Sequence, residues 1–434
     1  MKRGFYTIMS AQFFSSLADN ALFVAAVELL RAGGSPEWQR AALIPLFALF
    51  YVVLAPFVGA FADALPKGRV MFVSNAIKIV GCIMMLFGSH PLIAYAVVGL
   101  GAAAYSPAKY GILTELLPAS QLVKANGWIE GLTIASIILG VLLGGQLVGR
   151  QLSHLLLSID LPFIDTGIDT ASEAAIAALI LVYAIAAWFN LLIPHTGVEM
   201  RPLRRTPQTS VVAGALSLLP DFWTCNARLW RDKLGQISLS TTTLFWGAGG
   251  NLKLIVLAWA AVALGYNTTQ ASALIGVVAI GTAAGAVLAS MRMRLDVATR
   301  VIPLGIAMGV LLVMMVFISS LWVAVPFLIL LGGLGGFLVV PMNALLQHRG
   351  HNLMGAGRSI AVQNFNEQAA ILGLGAFYSL SLKLGLSVFG AITAFGVVVA
   401  GAMWLIRRWH LYNCRHHTEE LEHLLQIARQ DTHH

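Results

Sequence analysis

Residues 174–193 read AAIAALILVYAIAAWFNLLI and contain no charged side chain. A helix needs about 20 apolar residues to cross a hydrocarbon core about 30 Å thick. A strand of an outer-membrane barrel alternates apolar and polar residues. This stretch is apolar on every face, as are residues 92–104 and 306–318. The pattern therefore predicts membrane-spanning α-helices.

The composition extends this prediction to the whole chain. Of 434 residues, 58% are hydrophobic and 11% are charged, against about 25% charged in a typical soluble domain. The mean hydropathy of +0.81 also excludes a disordered chain. Twelve spans are predicted, at 5–30, 41–65, 70–88, 92–112, 121–148, 174–194, 236–264, 270–291, 299–318, 321–346, 358–383 and 386–408.

The basic residues are distributed unevenly between the two sides of the predicted membrane. Of the 27 Lys and Arg residues, 21 lie at the termini or in even-numbered connections. Four lie on the other side, and two lie within spans. Because cytoplasmic loops carry an excess of Lys and Arg, both termini are predicted to be cytoplasmic. The net charge of +8 therefore reflects topology and does not indicate nucleic-acid binding.

The longest cytoplasmic connection divides the chain into two halves. The predicted parts are a six-helix bundle (1–194), a linker (195–235), a second six-helix bundle (236–408) and a cytoplasmic tail (409–434). Within the linker, residues 209–233 mix apolar, aromatic and basic side chains. They fit an amphipathic segment on the inner leaflet or a solvated tether, since Pro220 interrupts the periodicity.

The two halves are faintly repeated. GAAAYSPAKYGIL (101–113) and GGFLVVPMNALLQ (335–347) both place small residues before a proline, near the cytoplasmic ends of spans four and ten. Two parallel six-helix repeats are the architecture of major facilitator transporters. The Gly-rich stretch at 332–336 lies inside an apolar span, so it is assigned to helix packing or helix bending.

The connection between spans two and three reads GAFADALPKGR (59–69). It resembles the Gly-x-x-x-Asp…Gly-Arg signature of the major facilitator superfamily, with one additional residue before Lys67. The resemblance makes Gly59, Asp63, Lys67 and Arg69 elements of a gate, with Lys67 and Arg69 holding the loop at the inner surface. The alternative is an ordinary positively charged cytoplasmic loop.

More specific strings recur along most of residues 8–408. They are Gln12, ADNAL (18–22), AAYSPAKYGIL (103–113), LVKANG (122–127), LFWGAG (244–249), PMNALLQ (341–347) and AVQN (361–364). They closely resemble the bacterial lysophospholipid transporter family. The resemblance implies a twelve-helix major facilitator fold without a cofactor. It also implies import of lysophospholipids, chiefly lysophosphatidylethanolamine, for reacylation by a separate acyltransferase.

Such a substrate carries one ammonium and one phosphate. Asp19, near the middle of span one, is the candidate ammonium partner, and Asn20 supplies amide hydrogen bonds. The alternative for Asp19 is a permanent bridge to a lysine on another span. Lys253 in span seven is the candidate phosphate partner and is expected to meet Asp19 across the two halves. The alternative for Lys253 is snorkelling toward an interface.

Other candidate residues lie near the cytoplasmic side. Tyr105 and Asn343, within the family strings, are placed along the substrate path. Lys109 and Lys124 flank the loop between spans four and five, where they either attract the phosphate or only set the topology. Three charged residues within spans are expected to form structural or gating pairs. These residues are Lys78, Glu130 and Glu367.

Several other functions are disfavoured. No His lies in the middle of a predicted span and the three cysteines are widely separated, so neither a metal site nor a redox site is predicted. No nucleophile and base occur in register, which argues against an enzyme. A scaffold would leave the charges in spans one and seven unexplained. A drug or amphiphile exporter of the same superfamily remains the alternative.

Overall fold

The computed structural model describes residues 3–116, 119–159, 167–197, 210–354 and 356–431. This part of the chain is built from helices and connecting turns. The helices are α1 (Arg3–Ala32), α2 (Glu37–Val53), α3 (Ala55–Ala64), α4 (Lys67–Leu86), α5 (Pro91–Leu116), α6 (Ala119–Leu147), α7 (Arg150–Leu157), α8 (Ala171–Leu191), α9 (Val211–Leu216), α10 (Leu218–Arg231), α11 (Gly235–Ala263), α12 (Thr268–Arg292), a 3₁₀ helix (Leu295–Val301), α13 (Ile302–Met315), α14 (Leu321–Met354), α15 (Ala356–Lys383), α16 (Val388–His416) and α17 (Thr418–Asp431).

Within the described residues, nine helices are long and apolar enough to cross a membrane. Counting one bent pair as a single span raises the number to ten; this pair joins Leu132–Leu147 to Arg150–Leu157 at 66°. The other two predicted spans are also helical. Residues 41–65 form α2 and α3, which break at Leu54, and residues 358–383 lie in the more polar α15. The predicted all-α membrane fold is confirmed, and its helices are consistent with twelve spans.

The chain forms two compact units. The N-terminal unit contains Met1–Leu218 with Tyr266–Gly276, and the C-terminal unit contains Leu219–Gly265 with Val277–His434. In the N-terminal unit, α1 packs against α6 and α8, while α4 packs against α5 and α8. A Cβ on Gly99 of α5 would lie 2.3 Å from the Phe47 carbonyl oxygen of α2, so only glycine permits this close approach.

In the C-terminal unit, α11 packs against α14 and α15, and α13 packs against α16. The Gly-rich stretch of α14 lies against α12. A Cβ on Gly332 would be 2.2 Å from the Val278 carbonyl oxygen, and one on Gly336 would be 2.0 Å from the Thr282 carbonyl oxygen. These glycines therefore allow two helix backbones to approach closely, as the sequence predicted.

The linker is more ordered than a solvated tether in its described part. The helical stretch is interrupted at Ser217, between α9 and α10, as expected from Pro220, which lies in the first turn of α10 and has no N–H to continue the preceding helix. The side chains of Phe222, Cys225 and Leu229 are buried. Phe222 packs edge-to-face on Phe365 of α15, with ring centroids 5.3 Å apart. This helix therefore belongs to the C-terminal unit.

Polar contacts fix α10 in the same position. Asn366 of α15 accepts a hydrogen bond from the Trp230 indole at 3.1 Å and donates one to the Asn226 side-chain oxygen at 2.8 Å. The ring of Trp230 also stacks on Trp409 of α16. Membrane-surface binding by the linker stays a prediction, because these contacts concern its protein-facing side.

A buried ion pair anchors the end of the linker. Arg349 of α14 donates two hydrogen bonds to Asp232, at 3.0 and 2.6 Å, and the two side chains are 6% and 8% exposed. Asp232 also accepts a hydrogen bond from the backbone N–H of Gly235, the first residue of α11. The pair thus joins the linker to two helices of the C-terminal unit.

We expect Asp232→Ala to lower the free energy of unfolding by about 3–5 kcal/mol, since it leaves a buried guanidinium without its partner. The matched control is Asp221→Ala, because Asp221 pairs with Arg358 at 3.6 Å while both side chains are more than half exposed. That change should cost at most about 1 kcal/mol. Thermal melting of the purified protein measures both effects, and equal shifts would contradict the assignment.

The predicted tail is helical in its described part. Helix α16 continues to His416, and α17 follows directly. Leu421, Leu424 and Ala428 of α17 are buried. Arg429 of this helix donates to Asp296 of the 3₁₀ helix at 3.2 Å. The C-terminal helix therefore packs on the connection between α12 and α13.

Candidate functional site

The Asp19 carboxylate is the centre of a polar cluster inside the N-terminal unit. Its Oδ2 lies 2.8 Å from the Lys78 ammonium of α4, and its Oδ1 accepts a hydrogen bond from the Tyr183 hydroxyl of α8 at 2.6 Å. The structure thus forms the alternative considered for Asp19, a bridge to a lysine on another span. Both carboxylate oxygens are engaged, which makes the charge tolerable inside the membrane.

The Lys78 ammonium is held from several sides. It donates to the Ser15 hydroxyl at 3.0 Å, and Ser15 donates in turn to the Asn75 side-chain oxygen at 2.7 Å. The ammonium also lies 5.1 Å from the ring centroid of Tyr105 and 5.6 Å from that of Tyr183. These rings provide cation–π stabilisation to an ammonium whose side chain is 2% exposed.

The two partners of the ion pair differ in exposure. The Lys78 side chain is 2% exposed, whereas that of Asp19 is 22% exposed. A carboxylate has about four lone-pair positions and uses two of them here. The accessible side of Asp19 can therefore accept hydrogen bonds from a further cationic group. This capacity is what the predicted ammonium site requires.

The neighbouring predicted residues occupy different environments. Asn20 is half-buried, and its side-chain amide donates to the Ser16 carbonyl oxygen at 2.8 Å within α1. Tyr105 is buried beside Lys78, and no hydrogen-bond partner of its hydroxyl occurs among the described residues. Lys109 was expected to flank a loop, but α5 continues to Leu116 and buries Lys109 to 8% exposure. It therefore contacts the bundle interior.

The C-terminal unit holds the other candidates. Lys253 lies on α11 and is half-buried. Asn343 of α14 accepts a hydrogen bond from the Gln363 side chain of α15. The same Gln363 amide donates to the buried Glu367 carboxylate at 2.8 Å. The structural or gating role of Glu367 stays a prediction. Because Asp19 and Lys253 belong to different units, their meeting stays a prediction.

The predicted gate motif is partly described. Lys67 is buried within the protein: its ammonium donates to the Ala62 carbonyl oxygen at 2.7 Å and lies 3.6 Å from Glu115. Its position at the inner surface of the membrane stays a prediction. Thr196 also donates to Glu115, at 2.7 Å. Arg69 is exposed. The remaining predicted residues lie outside those whose side-chain surroundings the structure describes. They are Gly59, Asp63, Lys124 and Glu130.

Sequence reasoning missed three members of the Asp19 cluster. Ser15 precedes Asp19 by one turn of α1, and Gln12 precedes Ser15 by three residues. This polar stripe on one face of α1 could have indicated Ser15 as a neighbour of Asp19. Asn75 precedes Lys78 by three residues on α4 in the same way. Tyr183 lies in an apolar helix with no such signal.

Among the described residues, no cluster of His, Cys, Asp and Glu could hold a metal ion.

Residues 8–374 match the family model of the Major Facilitator Superfamily. The chain is 40% identical over 394 residues to the protein named "Lysophospholipid transporter LplT" from Yersinia enterocolitica, covering 89% of each chain. It is 41% identical to the protein of the same name from Yersinia pestis, again over 89% of each chain. These relatives share nearly the full length of this chain.

Solved structures support the same fold. A bacterial homologue of the human lysosomal transporter Spinster, in an inward-facing conformation, has a TM-score of 0.60 at 16% identity and covers 99% of this chain and 98% of its own. The nucleoside transporter NupG has a TM-score of 0.67 at 13% identity, with 95% and 99% covered. At these identities the likeness concerns the fold alone.

Proposed function

Because this chain belongs to the Major Facilitator Superfamily, we propose that it transports lysophospholipids, chiefly lysophosphatidylethanolamine, across the bacterial inner membrane. The main observation behind this proposal is that the charged side chain of Asp19 is partly exposed in a membrane-spanning helix. The names of relatives that are 40% identical over 89% of the chain support the same substrate class. The protein is a membrane transporter and not an enzyme.

The substrate's chemistry matches two of the candidate residues. Asp19 binds the ammonium of the head group through the accessible side of its carboxylate. Lys253 compensates the phosphate charge during the crossing, because an unpaired charge inside the membrane is costly. The single acyl chain stays in lipid, so the polar path opens sideways. The head group crosses by alternating access.

The direction of transport and the orientation of the protein are parts of the same proposal. The excess of basic residues at the termini and even-numbered connections supports cytoplasmic termini. Transport runs toward the cytoplasmic leaflet, where a separate acyltransferase consumes the product. Lys109 and Lys124 contribute positive charge on the cytoplasmic side of the path.

A proteoliposome assay tests the proposal. Labelled lysophosphatidylethanolamine is added to one leaflet, and its appearance in the other is followed with and without an imposed proton gradient. We expect the single-chain lipid to move faster than a two-chain phospholipid in vesicles containing the protein, since one acyl chain must pass the lateral opening. Protein-free vesicles are the control. Absence of lipid movement would contradict the proposal, and export of unrelated amphiphiles alone would favour the drug-exporter alternative.

A further inference from the structure

The proposed ammonium site already contains an ammonium group that belongs to the protein. Lys78 lies 2.8 Å from Asp19 Oδ2 and approaches from the buried side, since its side chain is 2% exposed. The Asp19 side chain is 22% exposed, so it keeps accessible surface at which a ligand can bind. The protein's ammonium and the ligand's ammonium would therefore compete for one counter-ion.

We propose that Lys78 is a tethered competitor for the substrate's ammonium, displaced from Asp19 when the head group binds and restored when it leaves. The inference rests on the proposed function, because it requires Asp19 to bind the head group. It assigns to Lys78 a role in setting affinity, where the sequence indicated only a structural pair. Lys78 is a positioning residue, since it acts on the substrate through Asp19.

The environment of Lys78 allows this displacement. Besides Asp19, the ammonium keeps the Ser15 hydroxyl as a hydrogen-bond acceptor at 3.0 Å. The rings of Tyr105 and Tyr183 continue to stabilise its charge from 5.1 and 5.6 Å. The buried Tyr105 hydroxyl, which has no hydrogen-bond partner among the described residues, provides a further acceptor within the same pocket. The displaced ammonium thus remains solvated by protein groups.

Competition of this kind has a functional consequence. A carboxylate without a competitor in a medium of low dielectric would hold an ammonium strongly and release it slowly. Occupation of Asp19 by Lys78 lowers the fraction of molecules whose site is free, and the apparent Kd rises in inverse proportion to that fraction. The ion pair therefore weakens substrate binding and promotes release of the head group.

The test compares two probes that differ only at the amine. One is lysophosphatidylethanolamine, and the other is its N-acetyl derivative, in which a neutral amide replaces the ammonium. The ratio of their Kd values for the purified full-length protein measures the preference for the ammonium. We expect Lys78→Met to raise this preference about tenfold by removing the competitor. Asp19→Asn should abolish the preference.

The matched control is Arg349→Met, because Arg349 is also a buried cation beside a carboxylate, Asp232, and lies in the C-terminal unit. The preference of this variant for the ammonium should equal that of the unchanged protein. Lys78→Gln is the second variant, since its amide still hydrogen-bonds to Ser15 and Asp19 while carrying no charge. It should raise the preference even if Lys78→Met does not fold.

The possible outcomes separate the two proposals. Failure of the unchanged protein to bind either lipid overturns the proposed function. A lipid-binding protein whose preference does not rise in Lys78→Met or Lys78→Gln overturns the inference alone. A rise that is equal in Arg349→Met also overturns it, because the effect would then follow from any loss of a buried cation.

Discussion

Asp19→Asn is expected to reduce lysophosphatidylethanolamine transport at least about a hundredfold. The amide keeps the volume and the hydrogen-bonding capacity of the side chain but cannot balance an ammonium. An ion pair at 4 Å is worth about 4 kcal/mol at an effective dielectric constant of 20, and each 1.4 kcal/mol is a factor of ten. Initial rates in proteoliposomes with equal amounts of inserted protein measure the loss.

The Asp19–Lys78 bridge makes a stability control necessary. Asp19→Asn leaves the ammonium of Lys78 buried without its carboxylate, which should lower stability by about 3–5 kcal/mol. The double variant Asp19→Asn/Lys78→Met removes both charges and should recover the melting temperature while transport stays absent. Asp221→Asn, the same substitution in an exposed ion pair, should leave transport unchanged. Restored transport in the double variant would show that Asp19 serves a fixed bridge and not the substrate.

Lys253→Gln is expected to lower transport at least about thirtyfold, because the head-group phosphate would cross without a nearby cation. Lys253→Arg should retain much of the activity, since the guanidinium keeps the charge while changing its hydrogen-bond geometry. Transport rates of both variants are measured beside Lys383→Gln, which changes an exposed lysine at the end of α15 and should have little effect. Equal activity of Lys253→Gln and the unchanged protein would assign Lys253 to snorkelling.

The positions of the helices were predictable from local sequence. A membrane supplies no hydrogen bonds, so each span must be a helix long and apolar enough to cross it. This requirement acts within about 20 residues, a range that hydropathy detects directly. The more polar α15 was also predicted correctly. The break at Leu54 between α2 and α3 was not predicted, because hydropathy does not register Pro56, the local signal at the start of α3, within an apolar run.

The linker and the buried lysines show where local reasoning ends. The composition of residues 209–233 fitted an amphipathic segment on the inner leaflet. In the described α10, the apolar side chain of Phe222 packs against Phe365 of the same unit. Lys67 and Lys109 followed the pattern of cytoplasmic loop residues but are buried. Hydropathy treats a lysine near the end of a span as a surface residue. In the structure, α5 continues beyond Lys109 to Leu116, and the Lys67 ammonium donates a hydrogen bond to the Ala62 carbonyl oxygen.

The sequence by itself determined the membrane class, the helical segments and the superfamily, and it singled out Asp19 as a candidate functional charge. These properties follow from apolar run length, motif spacing and the cost of a carboxylate inside a membrane. Only the tertiary structure decided the partner of that charge, because Asp19 and Lys78 are 59 residues apart in sequence. It also decided which partner is buried and which is accessible, since packing of α1, α4 and α8 sets the solvent exposure of the two side chains. No local pattern encodes that difference.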